Sequence, residues 1–184
     1  MKPGSGLSYG SRVTEPSKDQ LNTAIIVMGV AGSGKSTVAK LLAERLGWPM
    51  AEGDDFHSPE NRAKMASGTP LNDADRKPWL EAIRDWLDRT PGNAVVTCSA
   101  LRRSYRDILR TARGRVRFLH LHDTPAVLGS RISGRTGHFM PPALLVSQLE
   151  TLEPLQPDED GTVVDVSRSP EEIVELGLTR LGLR

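Results

Sequence analysis

The sequence has a single cysteine, Cys98, in 184 residues, and aromatic side chains make up only 4% of it. One thiol excludes an internal disulfide framework and fits a reducing compartment. Long apolar runs are missing: the longest, Ala24 to Val30, is far too short to span a bilayer. The N-terminus lacks the apolar core of a secretory signal. Neither sign of charge is in excess, with 24 Lys+Arg against 23 Asp+Glu and a net charge of +1. That balance gives no general drive toward nucleic acid or an anionic membrane, so any basic site is local. Internal repeats are absent too. Membrane proteins, secreted mini-domains, collagens and coiled coils are excluded, and the expectation is a soluble, cytoplasmic chain with one domain.

Residues 1–22, rich in Gly, Ser and charge and without an apolar period, read as a disordered extension ahead of a domain over 23–184. From there apolar runs alternate with amphipathic ones. Ala24 to Met28 is an unbroken β-branched run, as a strand buried on both faces requires. Further strands are predicted at Pro49–Gly53, Ala94–Cys98, Val116–Leu121 and Thr162–Val166. Helices are predicted over Ser36–Leu46, from Ser58-Pro59-Glu60 to about Gly68, over Asp73–Thr90, Leu101–Ala112, from Thr124-Pro125 to about Ser133, from Pro141-Pro142 to about Leu152, and after Ser169-Pro170-Glu171-Glu172. Strands alternating with helices imply βαβ units: a parallel sheet with helices on both faces.

Gly29-Val30-Ala31-Gly32-Ser33-Gly34-Lys35-Ser36 matches G-x-x-x-x-G-K-[ST], between a buried strand and an amphipathic helix. Glycines let backbone N–H groups curl around phosphate oxygens, and the helix directs its positive end at the anion. Gly29, Ala31, Gly32, Ser33, Gly34, Lys35, Ser36 and Thr37 are therefore the candidate nucleotide-binding residues. Lys35 would reach the β- and γ-phosphates of ATP, and the Ser36 hydroxyl would hold Mg²⁺. A guanine-reading N-K-x-D is absent, and the third strand runs into Cys98-Ser99-Ala100 rather than the Asp that motor ATPases use. A short chain with this loop fits a small-molecule kinase.

Ligands of open α/β sheets sit beyond the C-terminal ends of the strands. Glu52-Gly53-Asp54-Asp55-Phe56-His57 lies there, after strand two. A kinase needs a carboxylate beside the acceptor hydroxyl, to orient it and take its proton late. From this segment alone, solvated turn acids and an acceptor carboxylate are both open.

The phosphate loop together with Gly53–His57, Asn61–Met65, Pro70–Leu80, Cys98–Asp107, Gly137–Pro142 and Gln148–Glu153 resembles the gluconokinases, from about Ala24 to the C-terminus. The resemblance implies ATP- and Mg²⁺-dependent phosphorylation of D-gluconate at its 6-hydroxyl. It also implies a three-layer P-loop kinase fold, with a five-stranded parallel sheet in order 2-3-1-4-5 and a lid over about 131–150, and a homodimer. Members often carry Asp-x-Asp after strand two. Here the pattern is Glu52-Gly53-Asp54. Asp54 becomes the acceptor carboxylate, with Asp55 its competitor. Glu52, one methylene longer than aspartate, is the candidate for contact with a metal-bound water.

Gluconate is an anion, and arginine suits a carboxylate because it can bond it through two N–H groups. His57, Arg62 and Lys64 form one basic cluster, and Arg102, Arg103 and Arg106 another. On a helical wheel Leu101, Tyr105, Ile108 and Ala112 face inward and Arg103, Arg106 and Arg110 outward. Only the first turn adjoins the strand ends, so Arg103 and Arg106 are assigned to the substrate and the later arginines to a solvated face rather than to nucleic acid. Arg131 and Arg135 sit in the lid segment, where Arg135 suits the phosphates and Arg131 the border of the adenine. His138 is a further candidate for substrate contact on closure. His120 and His122 share a strand face and read as sheet packing.

Overall fold

The computed structural model describes residues 22–122 and 142–183. Five strands form one parallel sheet: β1 (Thr23–Met28), β2 (Met50–Glu52), β3 (Ala94–Thr97), β4 (Arg115–His122) and β5 (Gly161–Asp165), in the order β2-β3-β1-β4-β5. This is the expected order, with β1 at the centre. The helices are α1 (Lys35–Leu46), α2 (Pro59–Ala66), α3 (Asp73–Arg89), α4 (Arg103–Leu109), α5 (Pro142–Thr151) and α6 (Pro170–Leu181).

The alternation of side chains along β1 explains the layers. Ile25 and Val27 pack with Val38, Ala39 and Leu42 of α1 and with Ile173, Val174 and Leu178 of α6. Ala24, Ile26 and Met28 pack on the other face, with Trp79, Leu80 and Ile83 of α3 and Tyr105 and Leu109 of α4. Both faces of the strand are buried, so its sequence is continuously apolar. A small third cluster of Val30, Leu101 and Leu145 joins the loop after β1 to the loop after β3 and to α5.

The helix starts follow local chemistry. Ser58 caps α2 through the Asn61 N–H, and reciprocal capping boxes, Asn72 with Asp75 and Ser169 with Glu172, begin α3 and α6. Each such cap contributes about 1 kcal/mol.

Helix α4 departs from expectation. It is shorter than the Leu101–Ala112 span and opens at Arg103. Ala100 holds a left-handed φ of 46°, so the chain leaving β3 cannot enter a helix at once. Its inward face is also different: Tyr105, Arg106 and Leu109 are buried. The proposed lid falls mostly outside the described residues, as do Arg131, Arg135 and His138.

Candidate active site

The loop after β1 folds as its glycines permit. Gly29, Gly32 and Gly34 have φ of 141°, 80° and 93°, where a side chain is strained. A Cβ on Gly29 would lie 2.6 Å from the Leu121 carbonyl oxygen and 2.9 Å from Ser33 Oγ. Ser33 is buried, with its hydroxyl unpartnered among the described residues. Helix α1 starts with left-handed Gly34 at its N-cap, no side chain capping it and no acid in its first turn. The helix's first turn thus offers its positive end no carboxylate of its own, the arrangement that suits an anion at this terminus. Ser36 and Thr37 are exposed. Lys35 Nζ donates to the Val30 carbonyl at 3.0 Å, across the loop. Two supports hold the loop from outside: the Ala31 N–H donates to Gln148 Oε1 of α5 at 2.7 Å, and the Gly29 N–H donates to the Ser99 carbonyl at 3.4 Å.

Strand β2 ends at Glu52, and Gly53–Phe56 continues as a 3₁₀ turn. That turn is clamped to β3. Thr97 Oγ1 donates to Glu52 Oε2 at 2.6 Å and accepts from the Gly53 N–H at 3.0 Å, while Trp79 Nε1 donates to the Gly53 carbonyl at 2.6 Å. A Cβ on Gly53 would sit 2.0 Å from the Thr97 carbonyl oxygen, so only glycine fits this approach. The clamp presents Asp54 and Asp55 as exposed acids on a fixed backbone. His57 is buried and stacks on Trp79 at 4.2 Å between ring centroids. Burial pushes its pKa down, opposed by the Asp54 carboxylate and reinforced by Arg62 and Arg76. Cys98, at the end of β3, is pushed up to about 12, chiefly by burial. Val27 of β1 and Glu52 of β2 both register with Thr97 of β3, so the phosphate loop and the acidic turn leave the same C-terminal edge of the sheet with one strand between them.

The other predicted residues divide. Arg62 is exposed and braces the acidic turn, donating from Nε to the His57 carbonyl and from Nη2 to the Asp55 carbonyl, at 3.2 and 2.9 Å. Lys64 pairs with Asp75 at 2.7 Å and joins α2 to α3. Arg103 gives both terminal nitrogens to Asp158 at 2.8 and 2.7 Å and its Nε to Asp107 at 3.0 Å.

The expectation for Arg106 is corrected. It is wholly buried and paired with Glu159 through Nε at 2.6 Å and Nη2 at 2.9 Å. It also donates to the carbonyls of Ala100, Leu101, Glu153 and Pro154. Every donor is used inside the fold, which leaves nothing for a substrate. The wheel put it outward because its partner lies 53 residues away in sequence; the acidic run Asp158-Glu159-Asp160 was the one available sign of it.

Sequence reasoning passed over a second constellation. Arg76 and Arg102 stand 5.4 and 5.8 Å from the centre of the Tyr105 ring. The Tyr105 hydroxyl donates to Asp73 at 2.5 Å and accepts from Arg76 Nη1 at 3.2 Å, and Arg102 Nη1 pairs with Asp73 at 3.1 Å. His120 is buried beside His122, 5.8 Å between ring centroids, as sheet packing predicts. No cluster of three metal-binding side chains exists among the described residues.

Comparisons with known proteins bear on the family and the fold. A sequence profile of the shikimate kinase family matches residues 31–176. The gluconokinase of Gluconobacter oxydans is 48% identical over 156 residues, covering 82% of this chain and 86% of that one. The crystal structure of a gluconokinase from Sinorhizobium meliloti superposes with a TM-score of 0.81 at 49% identity, covering 88% of this chain and 93% of that one. An unliganded sugar kinase from a Janibacter species superposes at 0.83 with 48% identity, covering 88% and 95%.

Proposed function

Since the chain belongs to the gluconokinase family, within the wider shikimate kinase family whose profile it matches, we propose that it transfers the γ-phosphoryl group of ATP to the 6-hydroxyl of D-gluconate. The products are 6-phospho-D-gluconate and ADP. The observation that carries the reading is the Asp54 carboxylate, set on a clamped turn at the same sheet edge as the phosphate loop, at the strand ends where such sheets bind ligands.

Backbone N–H groups of the loop and of the first turn of α1 hold the triphosphate, and Lys35 turns from the Val30 carbonyl to the β- and γ-phosphates. Asp54 accepts the hydrogen bond of the 6-hydroxyl and points an oxygen lone pair at phosphorus. The new O–P bond forms as the bond to ADP breaks through a loose transition state, so the hydroxyl proton passes to Asp54 late. Arg135 and Arg131 are assigned to the transferred phosphoryl group and to the border of the adenine, on sequence alone.

The oxygen donors here suit Mg²⁺. The Ser36 hydroxyl is exposed at the start of α1, and Glu52 is oriented by Thr97. A cation that keeps several waters and takes phosphate oxygens needs few protein ligands. Ser36 would hold it directly and Glu52 through a water; when bound it neutralises charge between the β- and γ-phosphates. Residues 23–184 are read as the kinase domain, working as a homodimer. Use of ATP and the unpaired, buried Cys98 favour a cytoplasmic setting.

The test is ADP release from Mg-ATP with and without D-gluconate, beside other sugar acids and glucose. The reading expects strong release with gluconate alone. Release driven by another acid and not by gluconate overturns it.

A further inference from the structure

A cavity of about 550 Å³ opens between the start of α3, the start of α4 and α5, lined among others by Asn72, Asp73, Arg76, Arg102, Ser147 and Thr151. Its wall carries the Arg76–Tyr105–Asp73–Arg102 network. The two guanidiniums flank one buried ring, and each is oriented through one terminal nitrogen: Arg76 by the Tyr105 hydroxyl, Arg102 by Asp73. In each, Nε and Nη2 make no hydrogen bond among the described residues. That pair of nitrogens is the edge of arginine that matches the two oxygens of a carboxylate. Two cations against one Asp73 carboxylate leave the wall with a net positive charge.

We propose that this cavity is the subsite for the acid end of the substrate, with Arg76 and Arg102 binding its carboxylate while Asp54 holds the hydroxyl at the other end. Helix α3 joins the two ends: Trp79, one turn on from Arg76, donates its Nε1–H at 2.6 Å to the carbonyl of Gly53, the residue before Asp54. A polyol acid lying along this line meets positive charge at its carboxylate and a hydrogen-bond acceptor at its terminal hydroxyl. The arrangement selects an acid over the neutral sugar alcohol of the same length. The guanidiniums expected at the first turn of α4 are thereby replaced: Arg103 and Arg106 are consumed by carboxylates of the fold, and Arg102 with Arg76 takes their place.

The proposal rests on the gluconate reading. The test compares wild type with Arg76→Met, Arg102→Met and Arg102→Lys, using D-gluconate and D-glucitol, which keeps the hydroxyl chain but lacks the carboxylate. Losing a charge-assisted hydrogen bond raises the gluconate KM roughly 10- to 100-fold in the Met variants. The loss falls on the gluconate KM and not on the KM for ATP, it is smaller for D-glucitol than for gluconate, and thermal melts report that the variants are folded. Arg102→Lys keeps the charge beside Asp73 but loses the two-pronged edge, and falls between. An unchanged gluconate KM in folded variants, or equal losses on both acceptors, overturns the subsite and leaves the kinase reading standing. Absence of gluconate-dependent turnover in the wild type overturns the reading itself, and the subsite with it.

Discussion

Replacing Glu159 with alanine removes one half of an ion pair whose two side chains are both at 0% exposure. In the native chain the carboxylate accepts from Arg106 at 2.6 and 2.9 Å and from the Gln156 N–H at 2.8 Å. Alanine leaves the Arg106 guanidinium buried and unneutralised, with its Nε–H and one Nη2–H stripped of their acceptors. Breaking a buried pair from one side costs about 3–5 kcal/mol. For a domain of this size that lowers the melting temperature by roughly 10 °C. Thermal and urea melts of wild type, Glu159→Ala, Arg106→Met and the double variant make the check. The double variant should be less destabilised than the two single losses summed, because neither charge is then stranded. Acid adds a second readout. Burial acts to raise the Glu159 carboxyl, but hydrogen bonds from Arg106 and Gln156 prevail and hold it below its ordinary 4.5. Its contribution is therefore complete above that value and is lost as pH falls through the lower, folded value. Glu159→Ala should flatten this acid limb. A loss under about 1 kcal/mol, the range of an exposed pair, would refute the assignment of Arg106 to the fold.

Asp54→Asn should lower kcat roughly 10²- to 10⁴-fold with little change in the KM for ATP; near-normal steady-state turnover contradicts its role at the hydroxyl. Gly53→Ala forces a Cβ against the Thr97 carbonyl, where the approach is only 2.0 Å, and should cost about 1–3 kcal/mol in urea melts while displacing Asp54 and cutting turnover. An alanine variant as stable as wild type would show that the turn is not clamped. His120 is pushed down to about 4, first by burial and then by His122 and Arg106, from an ordinary 6.5. Between those values the unfolded chain binds a proton that the folded chain does not, so stability is full above 6.5 and falls by about 3 kcal/mol toward 4. His120→Leu should remove that slope from a pH series of melts, and an unchanged slope assigns it to other groups.

Contiguous features were legible in the sequence. The phosphate loop is one run of eight residues whose glycines, lysine and serine each have a local reason, and its flanking strand and helix were equally plain. The sheet order came with the family resemblance. The apolar run of β1 predicted two-sided burial, and Ser58 and Ser169 cap the helices that they were expected to open. The acidic turn Asp54-Asp55 was legible because its place after β2 follows from topology, while the choice of Asp54 within it came with the resemblance. The basic residues were not, since an arginine's role depends on which distant acid reaches it first. Arg103 and Arg106 sit at the expected end of α4, yet Asp158 and Glu159, more than fifty residues on, claim both. Asp73 and Arg76 behaved locally like cap and surface residues, but Tyr105, about thirty residues later, draws them into one network. A seven-residue helix also gives a wheel little to average over, and one buried arginine turned the inward face of α4.

Transfer to the terminal hydroxyl is read most directly by phosphorus–carbon NMR of D-gluconate incubated with the protein and Mg-ATP. The account predicts one new phosphate monoester, coupled to C6 of gluconate and matched mole for mole by ADP. A phosphate on an inner hydroxyl or on the carboxylate, or ADP released without any sugar phosphate, would contradict it.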